Sequence, residues 1–269
     1  MTSATFTKNI LRRDRSIVLI GLGAIILLSW AYMGYLAWDM ANMMDMSEAS
    51  MGMEMAMPTF QPWGMIDFLL VFIMWTVMMF AMMTPSAAPM VLMYSKMNRQ
   101  RQPQQKPVIL GTAIFFLGYL LVWTAFSAAA TLAQGCLHAA TLLSPMMETT
   151  SPVLGGIILI TAGVFQFTRL KYACLSHCRT PLGFLMAEWR EGNFGALIMG
   201  VRHGVFCVGC CWLIMALLFV SGVMNLIWIA VIAAYVLVEK LLPGGHKVSW
   251  VIGALMTGWG AWMIVGALL

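Results

Sequence analysis

The sequence predicts an all-α fold: a polytopic transmembrane helix bundle of about seven spans, with the N-terminus cytoplasmic and the C-terminus periplasmic. Three observations predict it. Of 269 residues, 61% are hydrophobic and only 9% charged, whereas about a quarter of a soluble domain is charged. The apolar residues form runs long enough, at about 1.5 Å per residue, to cross about 30 Å of hydrocarbon. The fifteen Lys and Arg fall in clusters between those runs, and a seven-span reading puts all of them on one face. Basic residues near span ends mark the cytoplasmic side. The net charge of +5 is therefore a membrane-orienting signal and gives no case for a nucleic-acid partner.

Residues 1–15 form a basic cytoplasmic N-terminus and residues 16–38 a first span. That apolar run is too long for the core of a signal peptide, so a retained span is expected. Residues 39–63 form an external loop rich in Met and carboxylates, without Lys or Arg. Residues 64–269 form a six-span membrane domain. Span 2 covers about Met65–Tyr94, with Pro85 and Pro89 expected to kink it and free backbone carbonyls. A basic loop, Lys96–Pro107, leads to span 3 at about Val108–Ala133. Span 4 covers about Val153–Tyr172 and is expected to extend as helix to Arg179, where Pro181 discourages continuation. Residues 182–198 read as an interfacial segment. Span 5 covers about Met199–Gly222 and span 6 about Leu226–Lys240, separated by a turn near Met224 and Asn225. Span 7 covers about Val248–Ala267. The topology depends on 199–240 being two spans rather than one.

Three groups of residues carry candidate chemistry. The external loop holds eight Met and four carboxylates within residues 39–57, including Met43, Met44, Met46, Met51, Met53, Met55 and Met57. Thioethers are soft, uncharged ligands that favour Cu(I), so metal capture is the functional reading. An apolar Met face lying on the bilayer is the alternative. In span 2, Met74, Met78 and Met82 share a helix face, with Met83 on the neighbouring stripe. On its own that stripe reads more readily as packing. It gains interest because it joins the outer Met loop to the inner thiols.

The third group is the densest. His203, Cys207, Cys210 and Cys211 stand at i, i+4, i+7 and i+8 in span 5, on one helical face. Cys174, His177 and Cys178 stand at i, i+3 and i+4 at the end of span 4. Together they offer five thiols and two imidazoles, enough for a Cu(I) or a Zn site. Redox-active thiols and simple packing are the alternatives. Cys207-Val-Gly-Cys210 matches C-x-x-C but lacks the βαβ context of a thioredoxin motif. Glu239 and Lys240 read as an interfacial ion pair, with gating the alternative, and Cys136 with His138 as a packed external pair, with a small ligand pair the alternative.

The segments Met78-Met-Phe-Ala-Met-Met-Thr-Pro85, Leu170-Lys-Tyr-Ala-Cys-Leu-Ser-His-Cys-Arg179 and His203-Gly-Val-Phe-Cys-Val-Gly-Cys-Cys-Trp212 resemble an uncharacterised bacterial family of predicted metal-binding integral membrane proteins, a domain-of-unknown-function family. Gly222-Val-Met-Asn-Leu and Val238-Glu-Lys-Leu-Leu-Pro243 extend the resemblance over roughly residues 65–245. It implies metal binding and assigns no role to residues 39–57.

These readings combine into one expectation. The chain is a multi-pass protein of the bacterial inner membrane that takes up or transfers a soft metal ion, Cu(I) first and zinc second. The Met loop collects the ion, the span 2 stripe passes it inward, and the Cys and His group holds it. A periplasmic metal donor and a cytoplasmic or membrane acceptor are the expected partners besides the lipid bilayer. A membrane thiol oxidoreductase and a non-transporting metal-delivery or assembly subunit are the other classes. No catalytic residue is assigned.

Overall fold

The structure, a computed structural model, describes residues 2–50, 63–101, 108–140, 151–223, 225–242 and 244–268. Every regular element among them is a helix: α1 (Thr2–Ser50), α2 (Met65–Arg101), α3 (Val108–Ala139), α4 (Pro152–Phe165), α5 (Arg169–Arg179), α6 (Pro181–Glu188), α7 (Gly192–Ala216), α8 (Leu218–Ser221), α9 (Leu226–Leu241) and α10 (Gly245–Leu268). Five of the helical segments are long and apolar enough to cross a membrane, and the α4–α5 pair makes six if it is one broken span. Large apolar side chains such as Ile20, Leu27, Leu28, Trp262 and Leu268 stand exposed on the outside, as a lipid-facing surface requires.

The helices differ from the expected spans at their ends. α1 continues through residues 39–50, the first half of the expected loop. Met is the commonest residue there, a good helix former, and no Pro or Gly interrupts before Gly52. Met51, Met53, Met55 and Met57 lie outside the described residues, as do the side chains of Met43, Met44 and Met46. α3 ends about two turns later than its expected span, and α7 starts about two turns earlier and ends at Ala216, so the interfacial segment contracts to α6 and the link at Trp189–Glu191.

The expected continuous helix from Val153 to Arg179 is broken. α4 stops at Phe165, and α5 starts at Arg169 at an angle of 64° to it. Thr168 sits in extended backbone, φ −76° and ψ 145°, and its hydroxyl accepts from the Lys171 N–H as an N-cap. A new cap in mid-sequence starts a new helix. Gln166 is buried at the break, donating to the Ala162 carbonyl and accepting from Lys171 and from the Tyr235 hydroxyl.

α3 packs on α2 and α7, α4 on α10, and α5 on α7. Small residues permit the α3–α7 approach. A Cβ on Gly200 would fall 1.9 Å from the Phe115 carbonyl oxygen, and one on Gly118 would fall 2.5 Å from that of Leu197. The core lies along α2, where Trp75, Met78, Met79, Met82 and Met83 are fully enclosed.

The chain reverses between α8 and α9. Gly222 takes φ 86°, and the Asn225 side chain accepts from the N–H groups of Ile227 and Trp228 to cap α9. Lys240, near the far end of α9, then lies beside Cys207 in the middle of α7. Residues 199–240 are therefore two antiparallel helical segments. Basic residues gather at one end of the bundle. Arg99 at the end of α2 pairs with Asp14 near the start of α1 at 2.7 Å. Arg101 stacks over Trp189 at 4.6 Å, and Arg179 donates to the Leu242 carbonyl at 2.6 Å.

Candidate metal centre

Five helices meet at Cys207. Its carbonyl, in the middle of α7, accepts from the thiols of Cys210 at 3.1 Å and Cys211 at 2.9 Å. These are the i+3 and i+4 positions of the same helix, so the Cys-x-x-Cys-Cys spacing alone places three sulfurs on one face. From α5, the Cys178 thiol comes within hydrogen-bonding reach of Cys207 and Cys210. From α3, the Tyr119 hydroxyl lies 3.2 Å from the Cys207 sulfur and 3.1 Å from the Met83 carbonyl. From α9, the Lys240 Nζ lies 2.9 Å from the Cys207 Sγ. From α2, Ser86 accepts from the same Nζ at 3.1 Å and donates to the Met83 carbonyl at 2.9 Å.

α2 runs as one helix through Pro85 and Pro89. Neither proline has an N–H to give to the carbonyl four residues before it, and in the same segment the Met83 carbonyl accepts from the Ser86 and Tyr119 hydroxyls. The proline segment thus presents Ser86 and a carbonyl to the thiol group.

All six cysteines are free thiols, with Cys207, Cys210 and Cys211 buried and Cys174 and Cys178 partly so. Cys174 packs on the α7 backbone, where a Cβ added to Gly209 would meet its sulfur at 2.9 Å. His203 is buried among Phe115, Tyr119 and Phe184. Its Nδ1 has no hydrogen-bond partner among the described residues, an orphaned donor or acceptor that a buried site would be expected to use.

His177 departs from the sequence expectation. Its Nδ1 meets the Ala173 carbonyl at 2.8 Å, and its ring stacks on Phe206 at 4.2 Å on an exposed surface. The ring packs on Phe206, the α7 residue before Cys207, rather than among the thiols. Among the described residues, no three or more His, Cys, Asp or Glu side chains are spaced as a ready ligand set for an ion. The seven predicted ligands do not all converge.

The Met stripe is placed as its spacing predicted: Met74, Met78, Met82 and Met83 all face the core. Cys136 is exposed, and His138 stacks on Trp63 at 4.9 Å.

Glu239 and Lys240 are not an interfacial pair. Adjacent residues on a helix diverge by about 100°, and here the two serve different centres. Glu239 pairs with Lys171 of α5, the two side chains being 0% and 2% exposed. It also accepts from Ser249 and, at 3.3 Å, from Tyr235. Lys240 is buried too and joins none of the ion pairs among the described residues. It was overlooked because a Lys at a helix end normally snorkels to water. An adjacent Glu within an apolar span was the available signal.

The model of a family described as PpoB2, copper chaperone, matches residues 72–263. The chain belongs to this family. No curated protein and no solved structure matches it. The region shared with the copper chaperone family takes in the α2 Met stripe from Met74 onward, the thiol group and Lys240, and leaves out α1 and residues 39–57.

Proposed function

We propose that the chain is a membrane copper carrier that holds Cu(I) at the thiol group between α5 and α7 and passes it to a recipient. The observation that carries this reading is the buried cluster of Cys207, Cys210 and Cys211, with the half-buried Cys178 alongside, next to the Met-lined face of α2. Soft thiolates select Cu(I) over harder ions, and membership in a copper chaperone family points to the same metal. A lone buried Cys is usually a small apolar filler. Four that reach one another from two helices ask for a shared role.

Cys207 and Cys210 are the central ligands, with Cys178 and Cys211 alongside and His203 as the adjacent imidazole. Cys174 flanks them, and His177 serves at the surface. Met74, Met78, Met82 and Met83 provide weak, exchangeable thioether steps. Met43, Met44, Met46, Met51, Met53, Met55 and Met57 collect the ion outside. Weak thioethers feeding stronger thiolates order the affinities for inward movement. The seventh crossing is α9, 16 residues long, with α4 and α5 together as another. The N-terminus then faces the cytoplasm of a bacterial inner membrane, and the basic end of the bundle lies on that side. Burial of the thiols disfavours disulfide exchange with a protein substrate, which needs an accessible thiolate.

Metal analysis of protein purified anaerobically in the presence of Cu(I) tests this. Wild type should retain copper, and a Cys207/Cys210/Cys211→Ser variant should lose it. Equal copper in both would sink the reading. Removal of residues 39–57 should slow copper entry into vesicles and leave the retained copper unchanged.

A further inference from the structure

We infer that Lys240 is a fixed countercharge that makes the thiol site selective for a monovalent soft ion. The inference rests on the copper reading and adds to it a specificity-determining residue. Lys240 is buried in the middle of the bundle with its Nζ on the Cys207 sulfur and on Ser86. Cys210, Cys211 and Cys178 are its other electrostatic neighbours. Its sequence neighbour Glu239 is committed to Lys171. The groups that meet Lys240 and can become anionic are thiols and, through Cys207, the Tyr119 hydroxyl.

Charge balance decides which ion suits such a place, because an uncompensated charge in a low-dielectric interior is costly. When two thiols give up their protons and bind Cu(I), the sulfur–metal unit carries one net negative charge. The Lys240 ammonium beside it brings the buried assembly to neutrality. With Zn(II) or Cd(II), the same two thiolates are already neutralised by the ion. The ammonium is then left as an unpaired buried cation. Neutral donors such as His203 or a thioether leave this balance unchanged.

The test is competition on the full-length protein in detergent or nanodiscs, under anaerobic conditions, with Cu(I), Ag(I), Zn(II) and Cd(II) as probes. Lys240→Met keeps the length of the side chain and removes its charge. Its affinity for Zn(II) relative to Cu(I) should rise by at least about tenfold. Lys240→Arg should keep the wild-type ratio. An unchanged ratio in Lys240→Met, or an equal shift in Lys240→Arg, would overturn the countercharge while leaving the copper site standing. Wild type supplies a second measurement that does not depend on a variant folding. It should keep Ag(I) against a large excess of Cd(II), and one-for-one displacement of Ag(I) by Cd(II) would overturn the inference. Wild type that binds neither Cu(I) nor Ag(I) would remove the copper carrier and the countercharge together.

Discussion

The Nζ of Lys240 lies 2.9 Å from the Sγ of Cys207, a contact across the α8–α9 hairpin between residues 33 positions apart. One residue earlier, Glu239 points about 100° away around the helix and pairs with Lys171. The end of α9 therefore touches both the thiol group and the broken α4–α5 element. Each centre can be perturbed separately.

The Lys171–Glu239 pair is enclosed by Gln166, Tyr235 and Ser249. Lys171→Met leaves a buried carboxylate without its cation, and Glu239→Gln leaves a buried ammonium. Each should cost about 3–5 kcal/mol. The double variant should recover a large part of that loss, because no charge is then left unpaired. Denaturant unfolding in mixed micelles measures it. A double variant as unstable as the sum of the singles would refute the account.

The α3–α7 crossing should tolerate no side chain at Gly200. Its Cβ would fall on the Phe115 backbone oxygen rather than on a movable side chain, so the helices must separate. Gly200→Ala should cost about 1–3 kcal/mol and loosen the thiol group, which rides on α7. Gly21→Ala meets nothing within 4 Å and serves as the control. Thermal aggregation midpoints of the two variants should differ clearly.

The Met stripe can be tested without disturbing the fold. Met78→Leu and Met82→Leu conserve volume and should each cost less than about 1.5 kcal/mol. If thioethers pass the ion inward, copper entry into vesicles should slow while copper retained at the thiols stays constant. Unchanged entry in the double variant would assign these methionines to packing alone.

Copper binding should weaken as pH falls. The thiols must lose protons to become ligands, so protons and the ion compete for the same sulfurs. Calorimetry in buffers of different ionisation enthalpy should show protons released on binding Cu(I). Binding without proton release would mean that neutral donors, not thiolates, hold the ion.

The helical class, the apolar segments and the inward Met face of α2 were legible in the sequence because each is a local, periodic property. The face shared by Cys207, Cys210 and Cys211 was legible for the same reason, since helical spacing alone places those sulfurs together. A turn near Asn225 was expected, but the sequence alone left 199–240 open as one span or two, and only the contact of Lys240 with Cys207 shows the reversal.

The tertiary structure decided the rest. The α4–α5 break depends on Gln166 and Lys171 finding Tyr235 and Glu239 on a distant helix, which no local pattern shows. Beyond that break, His177 packs on Phe206 while Cys178 neighbours the α7 thiols. Lys240 looked like an interfacial residue from its place at a helix end. Only the packing of α9 against α2 and α7 revealed a buried cation among thiols. The sequence determined which residues share a face, because that follows from helical period. Which faces meet depends on long-range packing and on how buried charges find partners.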